Sequence, residues 1–159
     1  MTAQATDTAV QASIVVEASQ EKAFRFFTDD IGKWWTPEHH ILQGELAKMV
    51  FEPRVGGHIY DVATDGTECR WARVLAYDPP ASVVFSWDVS LQWQLESDPA
   101  KTSEVEVRFI PEGENRTRVE LEHRNIDRHG EGWEAMRDAV GSADGWAIGM
   151  KRFGERVGS

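Results

Sequence analysis

Between residues 45 and 124 apolar and polar side chains alternate in run after run, with turn signals between the runs. A period of two belongs to a strand with one buried face, so the chain must build a sheet of several strands. The clearest run is 103–110, with Val105, Val107 and Phe109 on one side and Glu104, Glu106 and Arg108 on the other. After Pro111-Glu112-Gly113-Glu114-Asn115 the chain returns, with Thr117, Val119, Leu121 and His123 opposite Arg118, Glu120, Glu122 and Arg124. The short turn and the matching patterns predict an antiparallel pair. Upstream, residues 45–52 place Ala47, Met49 and Phe51 on one face, and residues 58–64 lead into Asp65-Gly66, a hairpin signal. Residues 67–77 alternate Cys69, Trp71, Arg73, Leu75 and Tyr77 up to Asp78-Pro79-Pro80. Residues 82–89 bring Val83, Phe85, Trp87 and Val89 to one face, and residues 91–101 read as a loop or strand extension.

The flanks are different. Residues 10–18 form one more strand, with Ala12, Ile14, Val16 and Ala18 on its apolar side. Ser19 caps a helix whose Ala23, Phe24, Phe27 and Ile31 recur at helical spacing. Gly32 breaks it, Pro37 disfavours helix at Thr36, and residues 38–44 form a loop. At the C-terminus one helix carries Trp133, Met136, Arg137 and Val140. After a break at 141–145, Trp146, Met150, Phe153 and Val157 make one stripe of a second helix. The class is therefore α+β: a curved antiparallel sheet of about six or seven strands wrapped around the C-terminal helix. Residues 1–9 read as a flexible tail and 10–159 as a single domain.

A chain of 159 residues can bury a core without disulfides, and the lone Cys69 forms none within the chain. Seven Trp and seven Phe against two Tyr must either be buried or line something. The formal charge of −10, from 27 acids and 17 bases, repels a phosphate backbone and argues against nucleic acid as a partner. No stretch approaches the roughly 20 apolar residues of a membrane span, and Met1 to Val10 have no basic flank or apolar core of a secretory signal, so the expectation is cytoplasmic.

The local sequence has a family likeness. The run from Phe51-Glu52-Pro53-Arg54-Val55-Gly56-Gly57 to His58-Ile59-Tyr60 resembles the strand, Gly-Gly, strand signature of the helix-grip (START-like, SRPBCC) superfamily. More narrowly, it is similar to the branch that contains the activator of heat-shock protein 90 ATPase. Asp65-Gly66-Thr67-Glu68, the run from Arg73 to Pro80, Val84-Phe85-Ser86-Trp87, the run from Val119 to Arg124 and Gly145-Trp146 continue the likeness in order, over about residues 10–157. The resemblance implies the helix-grip fold (START/Bet v 1-like) and a cavity between sheet and terminal helix. It transfers no catalytic residue and implies no cofactor. Relatives of this kind include binders of apolar ligands, cyclases and the chaperone-activator domain. This chain is expected to lack the additional N-terminal domain of the eukaryotic activator, an expectation that argues against an ATPase-activating role.

Candidate lining residues for such a cavity are Trp35, Phe51, Cys69, Trp71, Arg73, Phe85, Trp87, His123, Trp146 and Met150; each ring could equally be plain core. His123 lies on an apolar face, as ligand contact or as a hydrogen-bonded strand-end histidine. Arg73 shares the alternation of Trp71, as a carboxylate anchor or, turned out by a bulge, as an ion pair. The face taken by His58 and Tyr60 depends on the bend at Gly56-Gly57. Trp34 and Trp35 cannot both easily point inward, and an exposed Trp34 or Trp93 would seed a dimer. Glu38, His39 and His40 lack metal-ligand spacing, so no metal is expected. The first expectation is binding of a small apolar or aromatic ligand, with no nucleic acid and no membrane. Two alternatives stay open: a protein-interaction module of the chaperone-activator kind, and a cyclase, dehydratase or hydrolase drawing acid and base from His123, His58, Tyr60 and Arg73. The enzyme requires at least two of those groups to converge.

Overall fold

The structure, a computed structural model, describes residues 4–5 and 8–157. Among them eight strands form one antiparallel sheet in the order β1-β2-β8-β7-β6-β5-β4-β3. These are β1 (Gln4–Ala5), β2 (Val10–Val16), β3 (Leu46–Phe51), β4 (His58–Ala63), β5 (Glu68–Asp78), β6 (Ser82–Trp87), β7 (Ser103–Gly113) and β8 (Arg116–Arg124). Without the two-residue β1 the count is seven. Of the tail at 1–9, residues 1–3 and 6–7 lie outside the described residues, while Gln4 and Ala5 pair with Gln11 and Val10 of β2. Four helices complete the α+β architecture: α1 (Gln20–Thr28), α2 (Ile31–Trp34), α3 (Trp133–Gly141) and α4 (Trp146–Arg156).

The sequence explains each boundary. Ser19 accepts a hydrogen bond from the Lys22 amide and so caps α1. The β7–β8 pair has the register the alternation implies, Val105 opposite His123 and Val107 opposite Leu121. The α4 stripe of Trp146, Met150, Phe153 and Val157 is buried throughout, which stabilises by about 1.5–3 kcal/mol for each large apolar side chain. Gly154 lets α4 lie close on β2: a Cβ there would come within 2.6 Å of Ile14 Cδ1. The sheet curls around this helix, the helix-grip arrangement. Between them Phe24, Phe27, Phe109 and Phe153 pack edge to face.

Three expectations need correction. Trp34 and Trp35 are both buried. Trp34 is the last residue of α2, and Trp35 is already extended (φ −56°, ψ 139°), so the change of backbone turns both rings inward. Trp34 is therefore no surface for a dimer; its indole donates to the Phe27 carbonyl. On β3 only Phe51 is fully buried, because the strand sits at the edge of the sheet and its start from Leu46 to Lys48 is exposed. On β5 the even alternation breaks. The register shifts against β4 at Ile59/Tyr60 and against β6 at Val74/Ala76, so Trp71 and Ala72 are buried in succession and Arg73 and Leu75 turn away from the core. No helix among the described residues is long and apolar enough to cross a membrane.

Candidate ligand-binding site

Four tryptophans from four parts of the chain meet in a closed ring. The centroids of Trp35 and Trp71 are 5.1 Å apart, Trp71 and Trp87 5.6 Å, Trp87 and Trp146 5.7 Å, and Trp146 and Trp35 5.7 Å. Alternation aims Trp71 and Trp87 inward from neighbouring strands, and Trp146 opens the α4 stripe that faces them. Trp35 follows α2, and its indole N–H is pinned to the His39 carbonyl at 2.8 Å, which fixes the loop beyond it. These indoles border a cavity of about 470 Å³, within the usual size of small-molecule sites. The rest of its wall comes from Trp34 and Thr36, from residues 38–41, from Asp61, from Val89 and Trp93, from the α3–α4 junction and from Gly149 of α4. The exposed residues Glu38, His39, Trp93, Ser142 and Asp144 form its rim. The junction closes tightly because residue 145 is glycine; a Cβ there would lie 2.2 Å from the Val140 carbonyl oxygen.

Polar atoms are few on this aromatic wall, and several lack a partner. Thr36 Oγ1, Asp61 Oδ1 and Trp87 Nε1 are buried without a hydrogen bond among the described residues. Buried polar groups are normally paired, so these three unpartnered atoms stand out, each on a residue that borders the cavity. The other oxygen of Asp61 is held: His40 Nδ1 lies 2.7 Å from Oδ2, with the Asp61 side chain only 1 % exposed and that of His40 11 %. An ionised carboxylate only accepts, so Nδ1 carries the proton and donates it. In a neutral ring Nε2 then keeps its lone pair. Asp61 faces inward because β4 alternates Ile59, Asp61 and Ala63 toward the core. At the rim, desolvation is the largest influence on His39 and lowers its pKa.

Behind Trp87 and Trp146 runs a second buried chain. The Trp146 indole donates to His123 Nδ1 (3.0 Å), so His123 bears its proton on Nε2 and donates to Ser103 Oγ (2.7 Å). Ser103 Oγ is also hydrogen-bonded to His129 Nε2 (2.7 Å). Burial pushes the fully enclosed His123 down to about 3, with nearby His129 adding to the effect.

Of the ten expected lining residues, Trp35, Trp71, Trp87 and Trp146 border the cavity and six do not. Phe51 and Phe85 pack edge-on against each other, and Phe85 against Trp71, as core. Met150 is buried one helical turn beyond Trp146. Cys69 faces inward beside Asp61 but off the cavity; burial, with the Asp61 charge adding, raises its thiol to about 11. His123 is screened by the two indoles. Arg73, turned out by the bulge, pairs with both oxygens of Asp88 at 3.0 Å and with Thr102. His58 and Tyr60 take the outer face, Tyr60 under the Arg70 guanidinium and His58 beside Glu52. The four groups expected to supply acid and base therefore do not converge. The pair that does, His40 with Asp61, was not among them. Its one sequence signal was an acid at the centre of an otherwise strand-like run, 58–64. Among the described residues no three His, Cys, Asp or Glu side chains are grouped to hold a metal ion.

A curled antiparallel sheet gripping a C-terminal helix, with a cavity at the helix N-terminus, defines a START-like (SRPBCC) helix-grip protein. The chain belongs to the activator of Hsp90 ATPase homolog 1-like protein family, whose model matches residues 17–157. Among solved structures it is similar to the anthrahydroquino-gamma-pyrone synthase Txn09, at 39% identity over 94% of this chain and 96% of that one, with a TM-score of 0.66. It is also similar to CalC, a self-sacrificing resistance protein from Micromonospora echinospora, at 26% identity over 95% and 94% of the two chains, TM-score 0.66. A protein of Nitrosomonas europaea shares the fold at 13% identity, with 98% of each chain covered and a TM-score of 0.68. A search of curated proteins returns no match.

Proposed function

We propose that this chain binds a flat, fused-ring aromatic compound carrying carbonyl or hydroxyl groups in the tryptophan-walled cavity. The observation that carries this reading is the closed ring of four buried indoles bordering one cavity. Indole faces favour stacked or edge-on aromatic partners over flexible chains, each such contact adding about 0.5–1.5 kcal/mol beyond burial. The unpartnered Trp87 N–H is a donor for a carbonyl, and Thr36 Oγ1 and Asp61 Oδ1 can accept from a hydroxyl. A relative 39% identical over nearly its whole length is named for a compound of this kind, a fused aromatic with hydroquinone and pyrone groups. That likeness supports the ligand class and favours it over a protein partner.

The test is a titration of intrinsic tryptophan fluorescence with anthraquinone and, separately, with palmitate. Anthraquinone is expected to quench saturably, and Trp71→Leu to weaken it about ten-fold, a loss near 1.4 kcal/mol. Palmitate binding as tightly as anthraquinone, or neither binding, would refute the reading.

A further inference from the structure

We propose that His40 is the general base of this cavity, positioned by Asp61, and that it takes the proton from a phenolic or enolic hydroxyl of the bound aromatic. This rests on the aromatic-binding reading above and adds a reaction to it.

The geometry carries the argument. His40 borders the cavity and is bonded through Nδ1 to a carboxylate that is almost completely buried. That bond fixes both the tautomer and the tilt of the ring, so the basic lone pair is on Nε2, on the opposite side of the imidazole. Nε2 has no hydrogen-bond partner among the described residues. A carboxylate, an imidazole and a free basic nitrogen bordering an apolar cavity form an arrangement that holds histidine in the base-competent state and stabilises the cation it becomes. Asp61 is a costly residue at an inward-facing strand position, since an ionised carboxylate is stable there only when paired. The Coulombic neighbours are few: His39 is adjacent in sequence, Glu38 and Asp144 stand on the rim, and Cys69 is a neutral thiol.

The step balances without any co-reactant. The hydroxyl O–H bond breaks, its electron pair stays on the ligand oxygen, and the proton forms an N–H bond at Nε2. The resulting imidazolium keeps donating from Nδ1 to Asp61 Oδ2. The ligand oxygen is then a nucleophile in a water-poor site, and the proton on Nε2 is available to return to carbon or oxygen of the same molecule. The substrate class is a fused aromatic with an acidic ring hydroxyl, and the reaction class is proton transfer leading to isomerisation.

The test uses 2-hydroxyanthraquinone, whose phenol and phenolate forms differ in visible absorbance, with hydroxyl-free anthraquinone as reference. The wild-type protein is expected to bind the dye as phenolate at a pH where the free dye is neutral. His40→Gln and Asp61→Asn are expected to hold the dye as phenol, with its apparent pKa raised by at least one unit, and the anthraquinone affinity of each variant is measured beside it to show whether the cavity still forms. A merely structural role for the pair would move both ligands together and leave the spectrum unchanged. Wild type binding the dye as neutral phenol overturns the proposal, whatever the variants do, as does a phenolate band that survives in both variants. If neither compound binds wild type, the aromatic-binding reading itself falls and takes this proposal with it.

Discussion

Trp93 shows at the scale of one residue how the site competes with stability. It stands on the cavity rim, 46% exposed, with φ at 60°, a left-handed conformation that a bulky aromatic side chain rarely adopts. The conformation is held by a tight loop in which Trp93 N–H donates to the Ser90 carbonyl and Ser90 N–H to that of Gln94. The half-exposed ring repays little of that cost by burial, so its place at the mouth points to ligand contact. Trp93→Gly is expected to leave the urea midpoint unchanged or to raise stability by up to about 1 kcal/mol, because glycine tolerates this conformation. The same variant should bind anthraquinone about three- to ten-fold more weakly (~0.65–1.4 kcal/mol), having lost one aromatic contact. A large drop in stability with unchanged affinity would mean that Trp93 is simply structural. Single residues also mark the limit of what the sequence discloses. Trp71, Trp87 and Trp146 could be assigned to the interior because alternation and helical spacing place apolar rings by type. His40 and Asp61 could not, because a polar side chain in a loop or on a strand reads as solvated, and only the folded backbone reveals that this carboxylate is enclosed.

At the scale of elements, two glycines set how α4 sits, and they are not equivalent. A Cβ on Gly145 would overlap the main chain of α3, at 2.2 Å from the Val140 oxygen and 2.7 Å from that of Ala139, and backbone cannot give way cheaply. A Cβ on Gly154 would meet Ile14 Cδ1 at 2.6 Å, the free end of a side chain that can rotate. An interior helical Gly→Ala also gains up to about 1 kcal/mol of helix propensity. Gly145→Ala is therefore expected to destabilise by about 2–3 kcal/mol, and Gly154→Ala by less than about 1 kcal/mol, as read from urea denaturation. Equal costs would show that the α3–α4 junction is looser than its geometry indicates. The succession of elements along the chain, the capped first helix and the split C-terminal helices were legible in the sequence, because each depends on local pattern and turn chemistry. The bulges of β5 were not. An inserted residue leaves the apolar spacing plausible on paper while exchanging the faces beyond it, which is why Arg73 read as a cavity residue and stands instead against Asp88.

At the scale of the whole molecule, the buried chain behind the tryptophan ring ties stability to pH. His123 titrates at about 3 in the native state against an ordinary value of 6.5, with burial as the main cause, and His129 is shifted in the same direction. A histidine held neutral by the fold binds its proton only in the unfolded chain over that interval, so protons favour unfolding. The stability contributed by neutral His123 is present above pH 6.5 and is lost as pH falls toward 3, at about 1.4 kcal/mol per unit. The excess of acids acts in the opposite direction, since a net charge of −10 shrinks as carboxylates take up protons. Wild type alone cannot separate these trends; a variant that shares the charge background can. His123→Gln keeps an acceptor for the Trp146 indole and a donor for Ser103 but cannot titrate. In urea denaturation the stability of wild type relative to this variant is expected to decline by about 2–3 kcal/mol between pH 7.5 and 4.5. A difference that stays constant over that range would place His123 outside the pH response and leave the decline to His129 and the carboxylates. Because the native ring remains neutral down to about 3, the indole of Trp146 keeps its acceptor throughout this window. The Trp146 side of the cavity wall should therefore hold its shape until the whole chain unfolds.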